Sequence, residues 1–224
     1  KWYRVTTSEM KTSEGNKYRA LFKKGSENKV LIYFAGGGVS FNEDTAREDT
    51  YNTKEVAIDM LANLTMNMGG IASDVEESPF EDWSIILFPY ATGDFHAGTG
   101  EFHYNGYVNY TETMKKVMEQ AGINDADTVL VTGYSAGGFG AALLAKDVFT
   151  NYFPDAKSKN VLVDASLLLN NNWHSIATDV WQTPKEISNK LVSNNLTLDC
   201  FASLHKKYGD DIHLLFDCST RDGD

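Results

Sequence analysis

The sequence predicts an α/β fold in which a mostly parallel sheet carries helices on both faces. Two observations lead there: strand-like and helix-like segments alternate along the chain, and several strand-like ones are near-continuous apolar runs, as in strands buried on both faces. Hydrophobic residues make up 42% and charged residues 23% of 224, which excludes a disordered tail, a fibre or a coiled coil. The length fits a single domain over residues 1–224 with a core large enough to need no staple.

Residues 2–6 and 17–22 alternate in polarity between polar turns and read as an opening hairpin. Residues 29–35 form an apolar strand that runs straight into Gly36-Gly37-Gly38. Residues 54–65 place Val56, Met60, Leu61 and Leu64 at helical spacing. A buried strand over 83–88 is closed by Pro89, and 108–120 reads as a helix stopped near Gly122. A strand over 127–132 leads through the glycine-rich 133–138 into a helix reaching about 149. Strands over 160–164 and 212–216 flank a mostly helical 183–207, opened by Thr183-Pro184 with the proline in the first turn. Residues 91–106 are the one long irregular stretch, rich in Gly, His and aromatics, and a loop of that length inside a domain points to function.

Charge narrows the partners. Twenty Lys and Arg stand against 31 Asp and Glu, a net of -11, and Lys23-Lys24 and Lys115-Lys116 are isolated pairs. Nucleic acid is not expected to bind a chain without a basic stripe. No apolar run approaches the ~18–20 residues that span a bilayer. Cys200 and Cys218 are too few for a disulfide framework or a zinc site, and both two thiols and one bridge stay open. The start at Lys1-Trp2 lacks Met and a signal-peptide pattern and reads as processed or trimmed. The end at Asp224 falls in a turn-like tail just after a strand-like run, and further chain is expected to follow it.

The strongest chemical signal is Gly133-Tyr134-Ser135-Ala136-Gly137, a G-x-S-x-G pattern between a strand and a helix. That context is what a nucleophilic serine needs, because a sharp strand-to-helix turn lifts its hydroxyl above the sheet. Acyl transfer through a serine builds negative charge on the carbonyl oxygen, so N–H donors must already point there. One donor is expected from Ala136, the others from Gly37 and Gly38 in the loop after the early strand. A phosphate-binding loop would need G-x-G-x-x-G, and the sequence has Phe41 at the last position.

Taken in order, Ala35-Gly36-Gly37-Gly38, Gly93-Asp94-Phe95-His96-Ala97-Gly98, Tyr104-Asn105-Gly106-Tyr107, the serine motif with Gly138, and Val163-Asp164-Ala165-Ser166 resemble the pectin acetylesterase family, which includes the Notum-type carboxylesterases. The resemblance spans about residues 29–224. It implies an α/β-hydrolase fold, a Ser-Asp-His triad, no metal or organic cofactor, an acylated carbohydrate or other ester as substrate, and a secreted or cell-envelope location.

In such hydrolases the triad runs Ser, acid, His along the chain. Asp222 follows the last strand and matches the family's acid; Asp217 and Asp224 are its neighbours, and Asp164 is a rival. The five histidines, His96, His103, His174, His205 and His213, all precede Asp222. The base is therefore expected beyond Asp224, with His174 or His205 beside Asp164 as the alternative. Asp94, His96 and Trp173 are expected at the substrate. Asp94 and His96, with His103, shape the mouth of the acyl pocket, and the resemblance implies that Asp94 orders the loop near the oxyanion glycines. Trp173, which lies with Trp181 after the Asp164 strand, either stacks on a sugar or lines an acyl tunnel, or simply packs in the interior. The Asp94-x-His96-x₆-His103 spacing fits no metal motif. These readings describe a serine carboxylesterase that removes acyl groups, chiefly acetyl, from a carbohydrate. The alternatives are an inactive hydrolase-fold protein that binds acylated glycans or peptides, and an acyltransferase with a dry site.

Overall fold

A computed structural model describes residues 1–46, 55–67, 70–73, 78–100 and 103–220. In chain order the elements are β1 (Trp2–Val5), β2 (Ala20–Lys23), β3 (Lys29–Phe34), α1 (Glu43–Ala46), α2 (Glu55–Asn67), β4 (Ser84–Phe88), α3 (Gly106–Ala121), β5 (Thr128–Tyr134), α4 (Ala136–Asp147), β6 (Ser158–Asp164), α5 (Trp173–Ser175), α6 (Lys185–Ser188), α7 (Leu196–Tyr208) and β7 (Ile212–Asp217). Seven strands form one sheet in the order β1-β2-β4-β3-β5-β6-β7. The β1–β2 and β2–β4 pairs are antiparallel and the remaining pairs parallel.

Strand order turns back at β3, with β4 on one side and β5 on the other. Open α/β sheets bind ligands beyond the carboxyl ends of the strands at such a reversal. Register sharpens the point. Phe34 pairs with Gly133, Tyr134 with Asp164, and Asp164 with Asp217. The glycine run after β3, Ser135 after β5 and the ends of β6 and β7 therefore leave the sheet side by side.

The apolar runs are buried on both faces. Ile32, Phe34, Val129, Val131, Val161 and Val163 point into the larger core, with α4 packed over it. Leu31, Ile85 and Leu130 alternate to the other face, while Leu21 and Leu87 pack there with Ala62 of α2. Residues 136 to 145 of α4 are all buried, since their Gly and Ala content lets the helix approach the strands closely. α3 buries Asn109, Tyr110, Thr113, Met114, Val117 and Ala121, one helical stripe, and ends at Gly122 with φ 60°. No helix among the described residues is long and apolar enough to cross a membrane. Cys200 and Cys218 are both thiols rather than a bridge.

Two segments differ from the sequence expectation. α4 begins at Ala136, three residues before the apolar stretch that marks it, because Gly137 and Gly138 are helical where they read as turn. The helical stretch expected over 183–207 is two helices. Residues 189–195 break it, held by the Asp199 carboxylate, which accepts from the backbone N–H groups of Val192 and Ser193 at 2.8 Å each. The Asn195 side chain then caps α7 by accepting from Leu198 N.

Candidate active site

Ser135 sits at φ 52°, ψ −125°, between the last residue of β5 and the first of α4. A non-glycine residue there is strained by roughly 1–3 kcal/mol and persists only where its surroundings fix it. Ser135 N donates to Asp164 O at 2.9 Å, and Ser135 O accepts from Ser166 Oγ at 2.7 Å and Phe139 N at 3.2 Å. The side chain remains partly exposed. Ala136 opens α4, so its N–H is one of the first-turn donors without an intrahelical acceptor.

The glycine run is pinned at both ends. Ala35 N donates to Phe88 O, and Ala35 O accepts from His96 Nε2 at 2.9 Å. Ser40 N donates to Gly93 O at 2.7 Å, Ser40 O accepts from Trp181 Nε1 at 2.7 Å, and Ser40 Oγ meets the Tyr104 hydroxyl at 3.0 Å. Gly36 is buried under Tyr134, where an added Cβ would lie 2.5 Å from Tyr134 O and 2.9 Å from its ring. Between these anchors Gly37 is exposed and Gly38 half-buried. An uncovered backbone held rigidly beside a serine is the layout that stabilises an oxyanion.

Asp94 and His96 are buried beneath this loop rather than at its surface. The Asp94 carboxylate accepts from Thr92 Oγ1 at 2.6 Å, His96 N at 3.1 Å, Gly98 N at 3.1 Å and Gly106 N at 2.8 Å. These bonds hold Phe95 and His96 at φ 49° and 62°. Burial pushes the Asp94 carboxyl up to about 6, against the pull of Thr92, Gly106 and Gly98 toward the charged form. Burial likewise drives the His96 imidazole down to about 4, opposed by its bond to Ala35. The ring is therefore neutral, with Nε2–H donating to the carbonyl.

The two groups bias stability in opposite directions. Asp94 has a folded value above 3.8, so its contribution is complete below about 3.8 and lost as pH rises through about 6. His96 has a folded value below 6.5, so its contribution is complete above 6.5 and lost as pH falls through about 4. The stability gap between the parent protein and His96→Gln should widen by roughly 3 kcal/mol from pH 4 to 6.5. Urea unfolding across that range measures it, and a gap that stays constant with pH would contradict the assignment.

Trp173 is fully buried. Its Nε1 donates to Leu168 O, and its ring packs with Phe95, Phe139 and Trp181 in an aromatic cluster beneath the loops. Asp164 and Asp217 are exposed at the ends of β6 and β7. Asp222 lies outside the described residues. His103 bonds Ser13 O, His174 bonds Ser188 O, His213 bonds Asn160 Oδ1, and His205 is exposed in the last turn of α7. The sequence reading gave no role to Tyr134, Ser166 or Ser40, which frame the site together with Trp181. Tyr134 lies within the serine motif and Ser166 within the Val163–Ser166 stretch that carries the resemblance.

A strained serine on a strand-to-helix turn, set beside an anchored glycine loop on a reversing parallel sheet, defines the α/β-hydrolase class. The chain belongs to the pectinacetylesterase family, whose model matches residues 14–210, and is thereby an esterase-type hydrolase. It is also similar to the solved structure of the Wnt deacylase Notum from Drosophila, with a TM-score of 0.64 and 18% identity over 96% of this chain and 69% of that one. At that identity the likeness establishes the fold.

Proposed function

We propose that this protein is a serine carboxylesterase that removes acyl groups, chiefly acetyl, from an exported carbohydrate, acting outside the cell or in its envelope. Membership of the pectinacetylesterase family supports the substrate class. The observation that carries the mechanism is the placement of strained, partly exposed Ser135 next to the uncovered Gly37 and Gly38.

Ser135 Oγ attacks the ester carbonyl carbon and gives its proton to a base. The N–H groups of Ala136, Gly37 and Gly38 hold the oxyanion. As the C–O bond breaks, the base protonates the departing sugar alcohol. Water, deprotonated by the same base, then attacks the acyl-enzyme and releases the carboxylic acid and Ser135. Asp222 is the proposed acid that orients the base. His96, His103, His174 and His213 are each bonded elsewhere. The base is proposed to be a histidine that comes after the acid, the chain order this class of hydrolase uses. Asp94 and His96 act here as positioning residues for the glycine loop, and Trp173 as part of the floor beneath it.

Acid quenching of the full-length protein during p-nitrophenyl acetate turnover tests this. Acetyl is expected on the peptide that contains Ser135. Acetyl recovered only elsewhere, or turnover with none trapped on any residue, would overturn it. The same histidine placement favours one second reading, an inactive binder of acylated glycans, which predicts ester binding without release of acid by the full-length protein.

A further inference from the structure

Two neighbouring strands of the sheet end in a non-glycine residue with left-handed φ: Ser135 after β5 at 52° and Ala165 after β6 at 48°. Register brings the two turns together, since Tyr134 pairs with Asp164. Ser166, fully buried, bridges them. Its Oγ stands 2.7 Å from Ser135 O and 2.8 Å from Asp164 O. A carbonyl cannot donate, so the single hydroxyl proton is shared between the two acceptors. Gly138 leaves room for the hydroxyl, as an added Cβ there would lie 2.0 Å from Ser166 Oγ.

Ser166 is itself held from outside the serine turn. Ser166 O accepts from Thr197 Oγ1 at 2.8 Å, and Thr197 is buried in the first turn of α7. Ala165 N donates to Asp217 O, at the end of β7, at 2.8 Å. The hydroxyl is therefore aimed by α7 and β7 together.

Peptide geometry sets what the hydroxyl controls. Ser135 C=O and Ala136 N–H belong to one planar trans unit and point in opposite directions. Relief of the strain at Ser135 would rotate ψ away from −125°, and that rotation swings the whole unit. The helix opposes it only loosely: Phe139 N reaches Ser135 O at 3.2 Å, the long end of the N–H···O range. The Ser166 bond, at 2.7 Å, has the ordinary O–H···O length. A donor on the carbonyl also polarises the peptide and makes its N–H a stronger donor in turn.

We infer that Ser166 is a positioning residue for the oxyanion: its hydroxyl fixes the Ser135–Ala136 peptide so that Ala136 N–H faces the reacting carbonyl oxygen. Ser166 is buried beneath the turn and acts on the reaction only through that peptide. Removing the hydroxyl orphans neither carbonyl, because Phe139 N still serves Ser135 O and Ser135 N still serves Asp164 O. Ser166→Ala is therefore expected to fold.

The inference deepens the proposed serine esterase and rests on it, and its test separates the two. The full-length protein, Ser166→Ala, Thr197→Val and Ser135→Ala are compared on p-nitrophenyl acetate and on its thionoester, in which C=S replaces C=O. Sulfur accepts hydrogen bonds weakly, so the thionoester draws little on the oxyanion donors. Ser166→Ala should lose about 10- to 100-fold in kcat on the oxygen ester, with KM within about twofold. Its loss on the thionoester should be much smaller, so the preference for oxygen over sulfur falls by nearly the same factor. Thr197→Val should shift the preference the same way by less, and it carries the test should thermal melting show Ser166→Ala unfolded. A damaged fold would instead slow both esters alike. Equal losses on the two esters, or an unchanged kcat, with turnover that still depends on Ser135, would overturn this inference alone. Turnover that survives Ser135→Ala would overturn the esterase reading and this inference with it.

Discussion

Ser135→Ala is expected to lower kcat/KM by about 10⁵-fold or more, because a nucleophile cannot be replaced by its neighbours. Its folded stability should barely move, since alanine meets the same backbone penalty at φ 52° and Ser135 is held through its N–H and C=O rather than its side chain. Ser135→Gly makes the contrast. It is equally inactive, yet glycine accepts this conformation, so it should gain about 1 kcal/mol or more in unfolding free energy. Chemical denaturation of both variants reads the stored strain directly. An alanine variant that keeps most of its turnover removes Ser135 from the reaction. A glycine variant less stable than the alanine variant removes the strain argument.

Gly137→Ala should give the largest combined loss of stability and activity. An added Cβ would stand 2.0 Å from Phe34 O and 2.6 Å from Phe34 C. Both are backbone atoms at the end of β3, so no side chain can swing aside, and the start of α4 must move away from the sheet. Overpacking of this kind costs roughly 3 kcal/mol or more. It also separates Ala136 from the glycine loop, and a displacement near 1 Å costs about 10²-fold in rate. Gly15→Ala is the control: it has φ 78° and nothing within 4 Å, so it should cost only about 1 kcal/mol with full activity. Equal melting temperatures for the two variants would contradict the close packing.

The parts of the fold legible in the sequence were those where one physical signal acts alone. β3, β4 and β5 are apolar runs because both faces are buried, and the serine motif fixes its own turn. The parts that stayed hidden depend on partners far away in sequence. The resemblance implies that Asp94 orders the loop, but its carboxylate's distant partner, the N–H of Gly106 beside those of its own turn, is not announced by local spacing. His96 reads as a pocket histidine, yet its ring holds Ala35, 61 residues away. For Trp173 the sequence leaves a site aromatic and a packed one equally open, and the cluster with Phe95, Phe139 and Trp181 that decides for packing is announced by no local spacing. The break at 189–195 escaped because the carboxylate that holds it, Asp199, lies within the next helix.

The ties from His96 to Ala35, from Gly93 to Ser40 and from Tyr104 to Ser40 bear on how such a protein can be altered. Residues 35–40 take much of their shape from residues 92–98 and Tyr104, so the two stretches are best transplanted together. A chimera that imports one of them from a related sequence inherits a loop without its clamp. Exchanging both together preserves these ties, and a cassette that also carries Trp181, whose indole holds Ser40 O, lets recombination between relatives vary this side of the site without dismantling it.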